Sequence, residues 1–249
     1  MNLLEGINLW VEKFKAEFEL NFIAGNRWQL LLSGLGNTLK MTALALCIGI
    51  AIGVLVAVIR TSYDTNKAKM KPGLGKFIIA LLNRVCIIYT TVIRGTPMVV
   101  QLLILYYIVF ASSRNGLMVA SLSFGLKSGA YVSEIFRGGI MSIEKGQMEA
   151  GRSLGLNYVQ TMWYIIAPQV LRNVLPTLAN EFITLIKETS IAGYVAVTDL
   201  TFAGNRIRGV TFSAMMPLLA VALIYLVLVM GLTWLTGKLE RRLRQSDIR

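Results

Sequence analysis

The 249-residue sequence contains no histidine and only two cysteines, and these shortages exclude several kinds of chemistry. Histidine is the commonest protein metal ligand and the usual general base near neutral pH. Cys47 and Cys86 stand apart in apolar surroundings, with no CxxC or CxxH spacing, so both are interpreted as small core residues. A GxxxxGKS/T phosphate loop is also absent. The sequence therefore predicts neither a metalloenzyme nor a P-loop ATPase.

Charged residues are scarce, at 15% of the chain, whereas 55% of the residues are hydrophobic and the mean hydropathy is +0.62. A composition of this kind excludes an ordinary water-soluble domain and indicates an all-α polytopic membrane protein. The net charge of +12 raises the question of nucleic-acid binding, which only the placement of the basic residues can decide.

A membrane-spanning helix needs about 20 mostly apolar residues. Two of the candidate segments contain charged residues, which must face a protein interior or a watery cavity in a bilayer, so these two are the candidate pathway helices. They are residues 117–140 and 170–197. The complete set of predicted spans is 37–60, 95–113, 117–140, 170–197 and 211–237.

The basic residues indicate the orientation of these spans. Five spans that start from an external amino terminus place residues 60–76, the loop 141–169 and the carboxyl terminus in the cytoplasm. The basic residues concentrate there, as the positive-inside rule requires, so they do not indicate nucleic acid. The first inner loop and the tail contain Arg60, Lys67, Lys69, Lys71, Lys76, Lys238, Arg241, Arg242, Arg244 and Arg249.

The remaining segments complete the predicted organisation. Residues 1–33 are expected to form an amphipathic, interfacial leader that stays on the protein, 34–240 the transmembrane domain, and 241–249 a basic cytoplasmic tail. Residues 77–93 are apolar but interrupted by Asn83 and Arg84, and only the sequence RGTP separates them from the next span. We interpret 77–93 as an interfacial elbow that leads into the second span.

The cytoplasmic loop contains EAGRSLGLNYVQTMWYIIAP, residues 149–168. Gly155 is a natural helix terminator because glycine adopts the left-handed conformation freely. Asn157 and Gln160 form a capping-box pattern that starts a second helix, which we expect to end before Pro168. The pattern predicts two short helices joined by a sharp corner.

The first of these short helices is a candidate handle for a soluble partner. Glu149, Arg152 and Ser153 are expected on its exposed face, whereas Ala150 and Leu154, four positions apart, are expected to pack inward. The alternative is an ordinary loop with one helical turn.

Charged residues inside the predicted spans are candidates for a substrate pathway. Glu181 is expected near the middle of the fourth span, where a carboxylate is able to receive an ammonium group; the alternative is a neighbouring cation such as Arg94 or Lys127. Glu134 is a further candidate, although Arg137 lies one helical turn away and offers it a structural partner.

Two other groups of polar residues are pathway candidates. Arg94 and Gln101 share a helix face that leads towards Tyr107; the alternative for Arg94 is an interfacial position. A polar interruption of the fourth span is a candidate gate, because such a break is tolerated only where it lines protein or water; pairing of Lys187 with Glu188 is the alternative. This interruption consists of Lys187, Glu188, Thr189 and Ser190.

The loop also resembles a known family. Its spacing of EAG, Gly155, Ile165 and Pro168 is similar to the EAA motif of importer-type ATP-binding cassette (ABC) permeases, with Gly151 in place of the usual second alanine. The family motif usually has a leucine immediately before its final proline, and this sequence has Ala167 at that position. Three other segments resemble the polar amino-acid subfamily, and the likeness covers about residues 34–240. They are TVIRGTPMVVQLLILYY, SGAYVSEIFRGGIMSIEKGQMEAGRSLGL and ITLIKETSIAGYVAVTDL.

The resemblance implies a multi-pass permease subunit of the bacterial inner membrane, without enzymatic activity and with no cofactor of its own. ATP and magnesium are expected on a dimer of partner ATPases, and an extracytoplasmic solute-binding protein is expected to deliver the amino acid. A second permease subunit, identical or different, would complete the pathway. The resemblance gives a coupling role to Glu149, Ala150, Gly151, Arg152, Gly155 and Pro168.

The sequence leaves the transported amino acid undecided, and it leaves one alternative function. Two membrane carboxylates favour arginine, lysine or histidine, while glutamine, glutamate and cystine are alternatives. The rival is a stand-alone secondary amino-acid transporter or channel. That class requires internal repeats and a self-sufficient ion site, and we find no repeat in the sequence.

Overall fold

The computed structural model describes residues 3–67, 70 and 72–245, and within these residues the chain consists of helices and short connections without a strand. The all-α prediction is therefore confirmed. The α-helices are α1 (Leu3–Phe18), α2 (Trp28–Asn66), α3 (Leu74–Gly95), α4 (Met98–Ile104), α5 (Gly116–Met141), α6 (Lys145–Ser153), α7 (Tyr158–Thr161), α8 (Ala167–Glu188), α9 (Leu200–Thr211) and α10 (Met215–Gln245).

Several of these helices are long enough for a bilayer. Among the described residues, α2, α3 and α10 are sufficiently long and apolar to cross a membrane, judged by length and composition. Helices α5 and α8 have 26 and 22 residues and carry the charges noted above. Many large apolar side chains on the outside, among them Leu55 and Val227, are exposed on the isolated chain, as expected for a lipid-facing surface.

The largest difference from the sequence prediction lies in residues 74–109. Residues 77–93 do not form a short elbow, because they lie inside the 22-residue helix α3, which is long and apolar enough to cross a membrane. Asn83, which interrupts their apolar pattern, is buried against the protein, so it does not prevent a long helix. The RGTP link then breaks the chain, since Thr96 and Pro97 are extended.

The predicted span 95–113 is consequently too long. Helix α4 has seven residues and continues for five more as a π-helical turn, Leu105–Val109. Twelve helical residues extend roughly 18 Å, well short of the hydrocarbon thickness of about 30 Å. Helix α3 therefore replaces residues 95–113 as the second long apolar helix.

The other predicted boundaries shift by smaller amounts. The predicted span 37–60 lies within α2, which is 39 residues long and includes the last part of the predicted leader. The span 117–140 corresponds to α5. Residues 170–197 divide into α8 and a 3₁₀ helix, Thr189–Val195, so regular α-helix ends within the expected polar interruption. Helix α10 continues into the predicted tail, of which residues 246–249 lie outside the described part, as do Lys69 and Lys71 of the first inner loop.

Contacts between the helices give their relative directions, and these directions show which connections lie at the same end of the molecule. Gly49 and Gly53 of α2 approach Ser128 and Val132 of α5 in the same order, so these two helices are parallel. Helix α8 is antiparallel to α5, because its residue 181 contacts residue 128 and its residue 173 contacts residue 142. The carboxyl end of α2 and the insert α6–α7 therefore lie at one end, opposite α9.

Candidate functional site

The insert between α5 and α8 has the local structure that its sequence predicts. Helix α6 ends at Ser153, and Gly155 turns the chain with a φ of 84°. The capping box is present, because the Asn157 side chain accepts a hydrogen bond from the Gln160 backbone N–H at 2.9 Å. In return, the Gln160 side chain accepts one from the Asn157 N–H at 2.9 Å. The corner is therefore fixed by short-range interactions.

The orientation of α6 differs from the prediction. Ala150 and Leu154 do not pack inward; both are exposed, and Leu154 is 81% exposed. Gly151 is the buried residue instead, because an added Cβ there would lie 2.5 Å from Cγ2 of Thr161. The close approach of α6 to the following helical segment requires glycine at the contact, and this turns Leu154 outward. Glu149 and Arg152 are exposed as expected.

The second short helix does not end before Pro168. Helix α7 continues through a π-helical turn, Met162–Ile166, directly into α8, and Pro168 lies in the first turn of α8. Proline is accepted there because it directly follows the π-helical turn, where the regular hydrogen bonding of the continuous helix is already interrupted. The insert is thus joined to α8 by continuous helix.

Residues 151–155 also read GxSxG, the pattern of a serine nucleophile elbow. Here Ser153 ends a helix and lies exposed on the insert, whereas that elbow requires a strand-to-helix turn. The chain has no histidine to activate the serine. The pattern therefore carries no hydrolase chemistry in this fold.

Three carboxylates lie within α5 and α8, and two of them have cationic partners. Glu134 pairs with Arg60 of α2 and with Arg137, whose Nη2 lies 2.8 Å from the Glu134 carboxylate. The structural interpretation of the Glu134–Arg137 spacing is thus confirmed. Glu188 pairs with Lys127 of α5 across the contact between the two helices.

Glu181 is different from the other two. Its carboxylate accepts a hydrogen bond of 3.0 Å from the Ser128 hydroxyl. Among the described residues, no cationic nitrogen lies within 4.0 Å of it, and Lys127, the nearby candidate, is already paired with Glu188. Glu181 is therefore a largely enclosed carboxylate without a cationic partner in the described chain.

The ring of Tyr131 lies close to two cations near these carboxylates, Arg94 and Lys127. The Arg94 guanidinium lies 5.3 Å from the centre of the Tyr131 ring, and the Lys127 ammonium lies 5.7 Å from the same centre. Both distances are within the range of cation–π attraction. Sequence reasoning missed Tyr131, although it lies one helical turn after Lys127. We call Arg94, Lys127, Ser128, Tyr131, Glu181 and Glu188 the polar seam.

A cavity of about 500 Å³ opens beside the polar seam. Lys127, Thr184 and Glu188 line it, together with Lys187 and Ser190 from the predicted gate. Thr184 is one helical turn from Glu181 on α8, although Glu181 itself is not among the residues that line the cavity. Thr189 does not line the cavity; it is buried, and its hydroxyl donates to the Ile186 carbonyl at 2.8 Å.

Two predicted pathway residues lie away from the polar seam. The Gln101 side-chain amide donates to the carbonyls of Ile93 and Thr96 at 2.7 and 3.0 Å, so it closes the end of α3. Tyr107 is exposed and makes an edge-to-face contact with Tyr106, with ring centres 5.0 Å apart.

A buried carboxylate that sequence reasoning did not single out starts α9. Asp199 is fully buried and accepts hydrogen bonds from the backbone N–H groups of Thr201 and Phe202, at 2.9 and 3.1 Å. Burial raises the pKa of the Asp199 carboxyl group, and the N–H donors oppose this effect. This is a helix cap, which an aspartate before an apolar helical pattern signals in the sequence.

Comparison with known proteins gives consistent results. The chain is 36% identical over 220 residues to the glutamine transport system permease protein GlnP of Escherichia coli (strain K12), covering 86% of this chain and 93% of the relative. It is 35% identical over 222 residues to the arginine transport system permease protein ArtQ of Bacillus subtilis (strain 168), covering 87% and 94%.

A solved structure of similar fold is an amino acid ABC transporter crystallised with histidines. Its matched chain is 35% identical with a TM-score of 0.76, and the match covers 89% of this chain and 98% of that one. Residues 74–245 match the model of the family described as binding-protein-dependent transport system inner membrane component. The chain belongs to this family of inner-membrane transport components.

Proposed function

We propose that this protein is the transmembrane permease subunit of an ATP-driven importer for a polar amino acid. The observation that carries the proposal is the enclosed Glu181 carboxylate, which has no cationic partner in the described chain and lies one helical turn from Thr184, a residue that lines a cavity. The names of the relatives, which include permeases for glutamine, arginine and L-cystine, support an amino acid as the cargo.

The polar seam suits a zwitterionic ligand. Glu181 would receive the α-ammonium group or the side chain of a cationic amino acid, because a desolvated carboxylate gains most from a cation that replaces its lost hydration. Lys187 is exposed at the cavity, forms no ion pair among the described residues and would receive the substrate carboxylate. Arg94, held over Tyr131, would attract the same group.

Coupling to ATP hydrolysis is assigned to the insert. Helix α6 and its C-cap residue present Glu149, Arg152 and Leu154 on the outside at one end of the molecule, and an exposed leucine next to charged residues suits a groove on a soluble partner. The partner would be an ATPase dimer that binds ATP and magnesium, with no cofactor on this chain. Helix α6 packs through Gly151 on Thr161 of α7, and α7 continues into α8 as helix, so a displacement of α6 would be transmitted through this contact to the helix that carries Glu181.

The complete transporter would contain a second permease subunit and an extracytoplasmic solute-binding protein. Alternating access would arise when closure of the ATPases rocks the two permeases between inward-facing and outward-facing states. The binding protein would deliver the amino acid at the end of the molecule opposite the insert.

Reconstitution of the complete complex into proteoliposomes tests this function. Uptake of labelled arginine and glutamine should require enclosed ATP and persist when ionophores collapse all ion gradients. Uptake by this chain alone, driven by a proton or sodium gradient, would establish a secondary transporter instead.

The docking surface needs its own variants. Leu154→Asp, or Glu149→Lys with Gly155→Ala, should reduce co-purification of the ATPase and ATP-dependent uptake together. Ser113→Asp, a change of an exposed residue in the α4–α5 connection, is the control. If ATPase association survives the insert variants unchanged, the docking role of α6 is wrong.

A further inference from the structure

Helix α1 carries an apolar face that the described part of the chain leaves largely uncovered. Ile7, Trp10, Val11, Phe14 and Phe18 follow one another at helical spacing and occupy one side of the helix. Trp10 is 64% exposed, and Trp10 and Phe14 stack with ring centres 5.6 Å apart. The polar side contains both acidic and basic residues, among them Glu12 and Lys13. The apolar face of this amphipathic helix is thus largely uncovered by the residues that the structure describes.

The end of α1 is fixed to the rest of the molecule by polar contacts. The Ser213 hydroxyl donates to the Glu17 carboxylate at 3.3 Å, and the Thr211 hydroxyl donates to the buried Asn21 side chain at 2.7 Å. Phe18 packs on Phe22, which belongs to a buried cluster with α9 and α10. Helix α1 is therefore anchored at the α9–α10 junction, at the end of the molecule opposite the insert.

The uncovered face continues onto the surface that the membrane covers. The chain turns at Gly25 and Asn26, which have φ values of 64° and 52°, and then enters α2, a helix long enough to cross a bilayer. Ile23, Trp28 and Leu32 are exposed large apolar residues along this route. An amphipathic helix joined to the beginning of a spanning helix is placed at the level of the lipid headgroups, where tryptophan is favoured.

We propose that α1 binds the lipid surface of the leaflet that surrounds the start of α2, with Ile7, Trp10, Phe14 and Phe18 in the boundary between headgroups and acyl chains. The helix would lie along the membrane plane and hold the α9–α10 junction at that level. The partner is the lipid bilayer itself, because the apolar face of α1 is continuous with the lipid-facing surface of α2.

Fluorescence quenching in the full-length chain tests this contact. The sequence has four tryptophans, so Trp28→Phe, Trp163→Phe and Trp234→Phe leave Trp10 as the single probe. In nanodiscs, phosphatidylcholine brominated near the headgroup should quench Trp10 strongly, phosphatidylcholine brominated near the acyl-chain end should quench it less, and aqueous iodide should quench it weakly.

The matched control moves the probe to the polar side of the same helix. With Trp10→Phe and Glu12→Trp, iodide should quench strongly and brominated lipid weakly. Equal quenching of the two probes by brominated lipid, or strong quenching of Trp10 by iodide, would overturn the proposal. Shielding of Trp10 from both quenchers would also overturn it, because a protein partner or a second copy would then cover the face. The assay measures no transport, so its failure leaves the proposed function untouched.

Discussion

Helix α5 makes two contacts of opposite chemistry with its neighbours. Towards α2 the contact is made mainly by small residues: an added Cβ at Gly53 would lie 2.5 Å from Val132, and one at Gly125 would lie 2.7 Å from Ile48. The charged residue of α5 at this contact, Glu134, is fully paired with Arg60 and Arg137. Towards α8 the contact contains the Lys127–Glu188 ion pair and the Ser128–Glu181 hydrogen bond. Ser128 takes part in both contacts, since Gly49 packs directly against it.

This difference indicates that one side of α5 is structural support and the other side is the candidate binding site. Small residues allow two backbones to approach closely and leave no room for a ligand, so the α2–α5 contact suits a fixed support. Charged side chains inside a membrane protein are costly, so they pair with one another or mark a substrate pathway, and the carboxylate without a cationic partner among the described residues, Glu181, lies at the α5–α8 contact. The α5–α8 contact is therefore the one that suits substrate.

Breaking the ion pair should have the largest effect. Glu188→Gln leaves Lys127 without its partner in a mostly enclosed position, which should cost about 3 kcal/mol of unfolding free energy. Thermal unfolding of the purified protein measures the loss. Adding Lys127→Gln should recover most of it, and a double variant as unstable as the single one would show that the two charges are not coupled.

A methyl group in the glycine contact should have the next largest effect. Gly53→Ala places a Cβ 2.5 Å from Val132 and 2.9 Å from the Ser133 backbone nitrogen, which should destabilise the protein by about 1–3 kcal/mol. Gly138→Ala on α5 is the control, because nothing lies within 4 Å of the new Cβ. Equal unfolding temperatures for the two variants would contradict the assignment of the α2–α5 contact as close-packed scaffold.

Removal of the Ser128 hydroxyl should have a smaller effect on stability. It tests the α5–α8 contact alone, because the hydroxyl bonds Glu181 of α8. Ser128→Ala takes a hydrogen bond from Glu181, which should cost about 1 kcal/mol in stability and weaken amino-acid binding. Ser123→Ala is a matched control on the same helix, since its buried hydroxyl has no hydrogen-bond partner in the described chain. Binding that is reduced equally by both changes would argue against a role of Ser128 in holding Glu181.

The smallest effect is expected in the insert, where Gly151 packs closely on Thr161, much as Gly53 packs on Val132 between the membrane helices. Gly151→Ala brings a Cβ to 2.5 Å from Cγ2 of Thr161, and a short surface helix is able to shift to relieve this contact. We expect a loss of about 0.5 kcal/mol, equivalent to roughly twofold weaker ATPase association. Thr161→Ser removes that methyl group and should restore association in a pull-down titration; no restoration would exclude the steric cause.

The sequence predicted the parts of the structure that depend on near neighbours. Gly155, Asn157 and Gln160 define the corner of the insert through contacts within a few residues, and the structure contains all of them. The Glu134–Arg137 pair follows from helical spacing in the same way. These features require no knowledge of distant parts of the chain.

The errors concern long-range packing. Lys127 and Glu188 are 61 residues apart, so their pairing, which leaves Glu181 without a cation, depends on how α5 meets α8. The outward turn of Leu154 depends on Thr161 touching Gly151. Residues 77–93 were misinterpreted because Asn83 and Arg84 broke the apolar pattern, whereas the folded chain buries Asn83 and leaves Arg84 exposed.

The central claim is that an amino acid binds at the polar seam through Glu181. Equilibrium binding of labelled arginine and glutamine to the purified transporter, without the solute-binding protein, tests it most directly. We predict saturable binding that Glu181→Gln weakens at least tenfold, by about 1.4 kcal/mol or more, while the unfolding temperature stays within a few degrees of the parent. Unchanged affinity in Glu181→Gln would contradict the claim.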